Sequence, residues 1–253
     1  MKKIAMVLLL CLTVVGLTAT PVIAAGPVDN PGHGPPTLDR VIFVDYPKDL
    51  PAKGGSGHPP SGTTKEWYSY SGYHWNTSIA VEYRVNFPNS SFLEGIDAAF
   101  QVWEDDLQST IDFKNVGSFT GDPSSFKTLS QRNGVNEVGW VDISQEYRNA
   151  IAVTMVWYDP LSKVIVEVDM AMNSALPWKQ NTITDDPNSS SGDPDCFDVQ
   201  DIATHEAGHW LMLGDLYNKP TASQTMYGYG SKGEMSKRSL ESGDLAGLRA
   251  IYP

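Results

Sequence analysis

His205 and His209 stand four residues apart in Thr204-His205-Glu206-Ala207-Gly208-His209, and no other feature narrows the possible folds as far. In a helix, positions i and i+4 lie about one turn apart on one face, so both imidazoles can reach a single metal ion. The helix is expected to be buried, because Val199, Ile202, Ala203, Trp210 and Leu213 form one apolar arc around it. Glu206 falls inside that arc, where a carboxylate costs free energy unless it is paired or sits beside a metal. The competing reading, two satisfied core histidines and a solvated glutamate, is weakened by the residues just downstream. Gly214 and Asp215 come next, and Thr225-Met226-Tyr227 arrives seventeen residues after His209.

The chain opens on Met1-Lys2-Lys3, an apolar run from Ile4 to Val15, and the small residues Ala24-Ala25-Gly26. Basic start, apolar centre and small residues describe a secretory leader over residues 1–25, cut after Ala24 or Ala25. Gly16 and Pro21 break the run too soon for a membrane span. The expectation is a secreted, extracellular protein with no stable membrane association after cleavage, the periplasm or cell envelope being the alternative addresses. Losing the leader removes Cys11 and leaves Cys196 as the single thiol. The core or bound metal must then supply the stability a disulfide framework would have given. The net charge of −12 becomes more negative by two as Lys2 and Lys3 leave. Such a balance argues against nucleic acid as a partner.

Residues 26–72 are rich in Pro and Gly and read as an N-terminal extension. Its one strand-like run, Val41-Ile42-Phe43-Val44, suits an edge strand or a propeptide remnant. The aromatic cluster Trp67, Tyr68, Tyr70, Tyr73, His74 and Trp75 reads as packing rather than as a glycan-binding face. Residues 73–253 are expected to be the catalytic domain. Val81, Tyr83 and Val85 alternate with Glu82 and Arg84 as in a half-buried strand. Ser91-Phe92-Leu93-Glu94 has the form of a capping box, opening a helix with Ile96, Ala99, Phe100, Trp103 and Leu107 on its core face. Strands are expected around Ile111–Val116, Val138–Ile143, Ala150–Tyr158 and Val164–Met172, then the metal helix from Val199 to Leu213 and a last helix carrying Leu245, Leu248 and Ile251. This order describes a single α+β domain.

Asp185, Asp186, Asp193, Asp195 and Asp198 offer oxygens of the kind calcium takes. Their irregular spacing fits a solvated acidic loop better, which leaves Ca2+ as a secondary cofactor expectation. Cys196, nine residues before His205, reads as a small buried apolar residue rather than a ligand.

Together these residues resemble the metzincin zinc endopeptidases, and the matrixin-like branch within them, from about Trp75 to the C-terminus. The metal helix, the Met226 segment, Asn173-Ser174-Ala175-Leu176-Pro177-Trp178 and the closing Asp244–Tyr252 carry the likeness. It implies a twisted, mainly parallel mixed β-sheet, an active-site helix and a small C-terminal subdomain. It also implies Zn2+ on His205 and His209, Glu206 as general base, and Met226 as a hydrophobic floor under the metal. Tyr227 and Asn173 become candidates to border the substrate pocket.

Two departures matter. The family motif has glycine three residues after the second histidine and a third histidine three further on; here those positions hold Met212 and Asp215. Gly214 is expected to take over the turn. Asp215 is expected as third ligand, as in the snapalysin-like members, since a carboxylate oxygen is a legitimate zinc ligand. Glu234 and Glu241 are the competing third ligands and would imply a different branch. The family's cysteine-based latency segment is missing, because no cysteine lies between Cys11 and Cys196.

The resemblance therefore implies a secreted, monomeric zinc metalloendopeptidase acting on protein or peptide substrates. A relative that keeps fold and metal but has no activity is the alternative, and the intact Glu206 speaks against it. The negative charge of Asp215 on the metal would move the activity optimum toward alkaline pH.

Overall fold

Alternation builds the sheet. In β4 (Val81–Asn86), Val81, Tyr83 and Val85 are buried while Glu82 and Arg84 are exposed, the period of two of a strand with one face covered. The computed structural model describes residues 38–48, 63–65, 67–127, 131–182 and 192–253. The leader and the start of the extension lie outside the described residues, as do Asp185 and Asp186 of the acidic run.

Three strands precede β4: β1 (Asp39–Pro47), β2 (Thr63–Lys65) and β3 (Tyr68–Tyr70). After it come α1 (Ser90–Glu104), β5 (Phe113–Ser118), the short α2 (Ser124–Lys127), β6 (Asn136–Val141), β7 (Ala152–Asp159) and β8 (Val164–Asn173). The two-residue strands β9 (Trp178–Lys179) and β10 (Phe197–Asp198) lead into α3 (Val199–Trp210). The chain then passes through β11 (Leu213–Gly214) and β12 (Tyr229–Gly230) to α4 (Ser242–Ile251).

The main sheet has seven strands in the order β12-β1-β7-β8-β6-β4-β5. Strands β5, β4, β6 and β8 are mutually parallel, β7 is antiparallel to β8 and β1, and β1 is parallel to β12. This is an α+β fold on a mainly parallel mixed sheet. Because side chains alternate, the sheet has two apolar faces. Val44, Val153, Ala171 and Val141 build one with Ile143 and Ala150. Phe43, Val156, Met170 and Val138 build the other, against α1 and α3.

On that second face, α1 lies on α3 through Ile96, Ala99, Phe100 and Trp103, all buried. Burying each of the larger ones is worth about 1.5–3 kcal/mol. The Trp103 indole donates to Thr204 O at 2.9 Å and the Trp75 indole to Trp210 O at 2.8 Å, so two rings clamp the metal helix at its middle and its end. Trp75, Tyr73 and Tyr68 are themselves buried, which gives most of the aromatic cluster its packing role; Trp67 alone among them stays largely exposed.

Four local expectations need correction. The cap of α1 is Asn89, whose side chain accepts from Phe92 N, and no Ser91–Glu94 box forms. The amide of Asn89 stands ahead of the first turn, within reach of its free N–H groups. Leu107 is 99% exposed, because α1 ends at Glu104 before reaching it. The run Val41–Val44 belongs to a nine-residue strand that pairs with β7 along Asp39–Asp45 and with β12 only at Tyr46 and Pro47, so β1 is not the last strand of the sheet although the run itself is bonded on one side. Cys196 is only half-buried and carries no disulfide. No described helix is long and apolar enough to cross a membrane.

Candidate metal centre

The metal helix is fastened at its start. Asp198 caps α3, accepting from Asp201 N at 2.9 Å, and its carboxylate also takes the Arg238 guanidinium, which is almost as buried as it is. With these bonds made, Asp198 is committed to structure and not to calcium. Asp193, from the same run, pairs with Lys179 at 2.9 Å.

At the other end of α3 the chain turns out of the helix at Met212, whose φ of 62° lies in the left-handed region. This corrects the expectation that Gly214 makes the turn: Gly214 is extended and pairs with Ser69. A non-glycine residue there costs about 1–2 kcal/mol, and Met212 offsets it by burying its whole side chain in the core.

The turn brings Asp215 back over the histidines. Asp215 Oδ1 lies 3.2 Å from His205 Nε2 and 3.5 Å from His209 Nε2. Each histidine is locked from behind, since Nδ1 of His205 meets Thr225 O at 2.7 Å and Nδ1 of His209 meets Leu213 O at 2.8 Å. A carbonyl can only accept, so both Nδ1 atoms carry the proton and both Nε2 atoms are left unprotonated and able to bind a metal. His205 Nε2, His209 Nε2 and Asp215 Oδ1 are all buried without a hydrogen-bond partner. Donors at about 2.0–2.1 Å around a tetrahedral zinc stand about 3.3–3.4 Å apart, so the two carboxylate–imidazole separations fit that ion. The donor chemistry, two nitrogens and one anionic oxygen, fits it too. Burial raises the Asp215 carboxyl, but the proximity of His209 and His205 outweighs it and holds the group well below the usual carboxylate range.

Glu206 is fully buried on the same turn as the histidines, and the three side chains form a group that can hold a metal ion. One of its oxygens is engaged: Thr154 on β7 donates its hydroxyl to Oε2 at 2.5 Å. The other, Oε1, has no partner. Burial pushes this carboxyl up to about 7, against the pull of His209 and His205.

Beneath the helix, Met226 is buried and its backbone is pinned by Asp244, which accepts from Thr225 N at 2.8 Å and Met226 N at 3.1 Å. The Met226 sulfur lies so close to Gly208 that a Cβ there would run into it and into the Trp103 ring. The glycine in the middle of the motif is thus required by packing.

Of the remaining candidates, Asn173 is buried at the end of β8 and spends its side chain on Ala150 O and Ala175 N. Tyr227 packs edge-on to Tyr229, and its carbonyl accepts from the Lys237 ammonium at 2.6 Å. Glu234 is taken by Lys48 at 3.0 Å and by the Ser236 hydroxyl, and Glu241 heads α4.

Three participants escaped the sequence reading: Thr154, Asp244 and Asp45. Asp45 on β1 is fully buried with neither carboxylate oxygen hydrogen-bonded. Burial holds its carboxyl above the usual range, opposed by Lys237, His205 and His209. Its signal in the sequence was available, an acid two residues after Phe43 and so on the same face of an apolar strand. Comparison with protein-family models and with curated proteins finds no match to this chain.

Proposed function

We propose that this chain is a secreted zinc-dependent endopeptidase of metzincin type, with His205, His209 and Asp215 as metal donors and Glu206 as the general base. The observation that carries the reading is the convergence of three buried, unpartnered donor atoms beside a buried carboxylate with one free oxygen. Buried polar atoms in folded proteins almost always have partners, and one cation supplies the missing partner to all of them.

A zinc ion in this position supplies Lewis-acid activation of a water molecule and of the scissile carbonyl. Glu206 Oε1 accepts the proton of the attacking water and returns it to the leaving amine nitrogen. The Thr154 hydroxyl keeps Oε2 occupied and so fixes which oxygen acts as the base. Thr225 O and Leu213 O hold the imidazoles in one tautomer and one orientation. Met226 and Gly208 close the floor so that the histidine-bearing turn cannot settle downward. Protein or peptide substrates and a monomeric state complete the proposal.

Elemental analysis of the purified protein, joined to a peptide-cleavage assay before and after chelation, tests it. One zinc per chain and cleavage that is lost with the chelator and restored by zinc are expected. Absence of stoichiometric metal from protein prepared without chelator would overturn the reading, and bound zinc without cleavage in any processed form would leave a metal-binding protein only.

A further inference from the structure

We propose that a window one strand wide between β4 and β8 binds an extended segment of a partner polypeptide, aliphatic at alternate positions and carrying an acidic residue. The window opens on the side of the sheet away from the metal helix, and the inference does not depend on the metal-centre reading.

Its first support is a gap in the sheet. In the order β8-β6-β4 the middle strand begins only at Asn136, opposite Tyr83 on β4, and meets β8 from Glu137 opposite Asp169. Strands β8 and β4 start earlier, at Val164 and Val81. Strands two places apart in a sheet stand about 9–10 Å from each other. The early residues of β4 and β8 therefore face each other across the width of a missing strand. The Asn136 side chain marks that width: its Nδ2 donates to Glu82 O at 2.7 Å and its Oδ1 accepts from Val168 N at 2.8 Å. One side-chain amide thus makes the bonds to both rims that a peptide group of an inserted strand would make. At the far end the window is closed by His74, which pairs with Val164.

The second support is a cavity of about 770 Å³ at this window, with Trp75, Ile79, Val116, Val135, Val164 and Val166 among its walls. That size is in the range of ligand pockets. Ile79 is 74% exposed and Val116 40%, so aliphatic surface here is left in water. Val166 falls at the register shift between β7 and β8 and has no partner residue on β7. Such bulges re-aim a side chain, and this one lines the cavity. Glu82 and Arg84 project from the face opposite Val81, Tyr83 and Val85, which pack in the core with α1 and α3.

The third support is charge. Glu82 is paired with Lys114 at 3.3 Å, whereas the exposed Arg84, which lines the same cavity, has no ion pair among the described residues. On a chain of net charge −12, an unpaired guanidinium beside an aliphatic groove is complementary to a carboxylate. Extended peptides are held in this manner, main-chain bonds to a strand giving affinity and pockets for alternate side chains giving specificity.

The experiment titrates the full-length protein, as purified, into a fluorescein-labelled peptide, Thr-Val-Asp-Val-Thr-Val with a C-terminal amide, and reads fluorescence anisotropy. Saturable binding is expected. The same peptide with proline for its middle valine loses a main-chain donor and should bind at least about tenfold more weakly. Ile79→Ser combined with Val116→Ser, two exposed positions, should weaken binding by about tenfold through lost apolar contact. Arg84→Ala should weaken it by about 2–5-fold, the worth of an exposed ion pair. The same substitution should not change the affinity for a peptide with asparagine in place of its aspartate.

No saturable binding, or binding indifferent to the double serine substitution and to Arg84→Ala, would overturn the proposal. So would displacement of the probe by an unlabelled peptide hydroxamate, because the probe would then sit at the metal centre. Analytical ultracentrifugation of the protein alone supplies the last arm. A monomer supports a partner peptide as the occupant, whereas a dimer that the double serine substitution dissolves would give the window to a second copy of the chain and overturn the assignment.

Discussion

At the scale of single residues, the roles proposed for Glu206 and Asp215 separate cleanly. Glu206 has one oxygen held by Thr154 and one free, and it adjoins the donors without being needed to complete them. Glu206→Gln keeps the shape and removes the base, so cleavage by the processed enzyme should fall by about 10²–10⁴-fold, the usual worth of a general base. Zinc content should stay at wild type, and a peptide assay paired with elemental analysis checks both. Asp215 makes the opposite prediction. Asp215→Ala should weaken zinc binding by more than about 100-fold, beyond the loss typical of groups that only support a ligand. Glu234→Ala should leave it unchanged, because that carboxylate is engaged by Lys48 and Ser236. Competition titration with a zinc chelator decides, and the reverse pattern would move the third ligand downstream. The histidines and Glu206 were legible from spacing alone. Met212 was not, because a buried methionine in a left-handed turn carries no local signal.

At the scale of elements, α3 depends on groups far along the chain for its position. Its N-terminus is capped by Asp198, whose charge is neutralised by Arg238 forty residues later. The Asp201 carboxylate accepts from Lys237 N at 2.7 Å, so the 236–238 turn holds the first turn of the helix twice. Asp198→Ala removes the cap and leaves Arg238 buried and unpaired. Breaking one side of such a pair costs about 3–5 kcal/mol, and denaturant unfolding with the metal loaded should show a loss of that order. A loss below about 1 kcal/mol would mean the guanidinium finds water or another partner. Inside the helix, Gly208→Ala gains helical propensity but drives its methyl toward the Met226 sulfur and the Trp103 ring. Packing should win, with a net destabilisation of about 1–3 kcal/mol by the same measurement.

At the scale of the whole molecule, the buried acids of the metal centre have a counterpart in a second set elsewhere on the sheet. Glu137 on β6 and Glu167 and Asp169 on β8 are buried together, and their oxygens accept from Ser124 N, Ser125 N, Asn133 N and Gly134 N. Burial first, with Glu167 and Glu137 adding to it, pushes the Asp169 carboxyl up to about 7 from 3.8. The folded state therefore holds its proton more tightly than the unfolded chain does between those two values. Stability from this group is fully present at the acid end and falls as pH rises through the window. Asp169→Asn should remove that slope: relative to wild type it should gain a few kcal/mol between about pH 4 and pH 7, at most about 1.4 kcal/mol for each pH unit crossed. Effects of pH on the metal donors are common to both proteins and cancel in the difference. A difference constant with pH would show the cluster to be charged throughout.

What the sequence determined by itself is what short range governs. Helix periodicity placed His205, Glu206 and His209 on one turn, and strand alternation found β4, because neighbours within about four residues set these patterns. Only the tertiary structure decided which distant groups meet that turn: the Thr154 hydroxyl from β7 on Glu206, the Thr225 carbonyl on His205 and the Phe43 ring from β1 on His209. Sheet pairing joins segments more than a hundred residues apart according to register and total burial, and neither is written in the local order of residues.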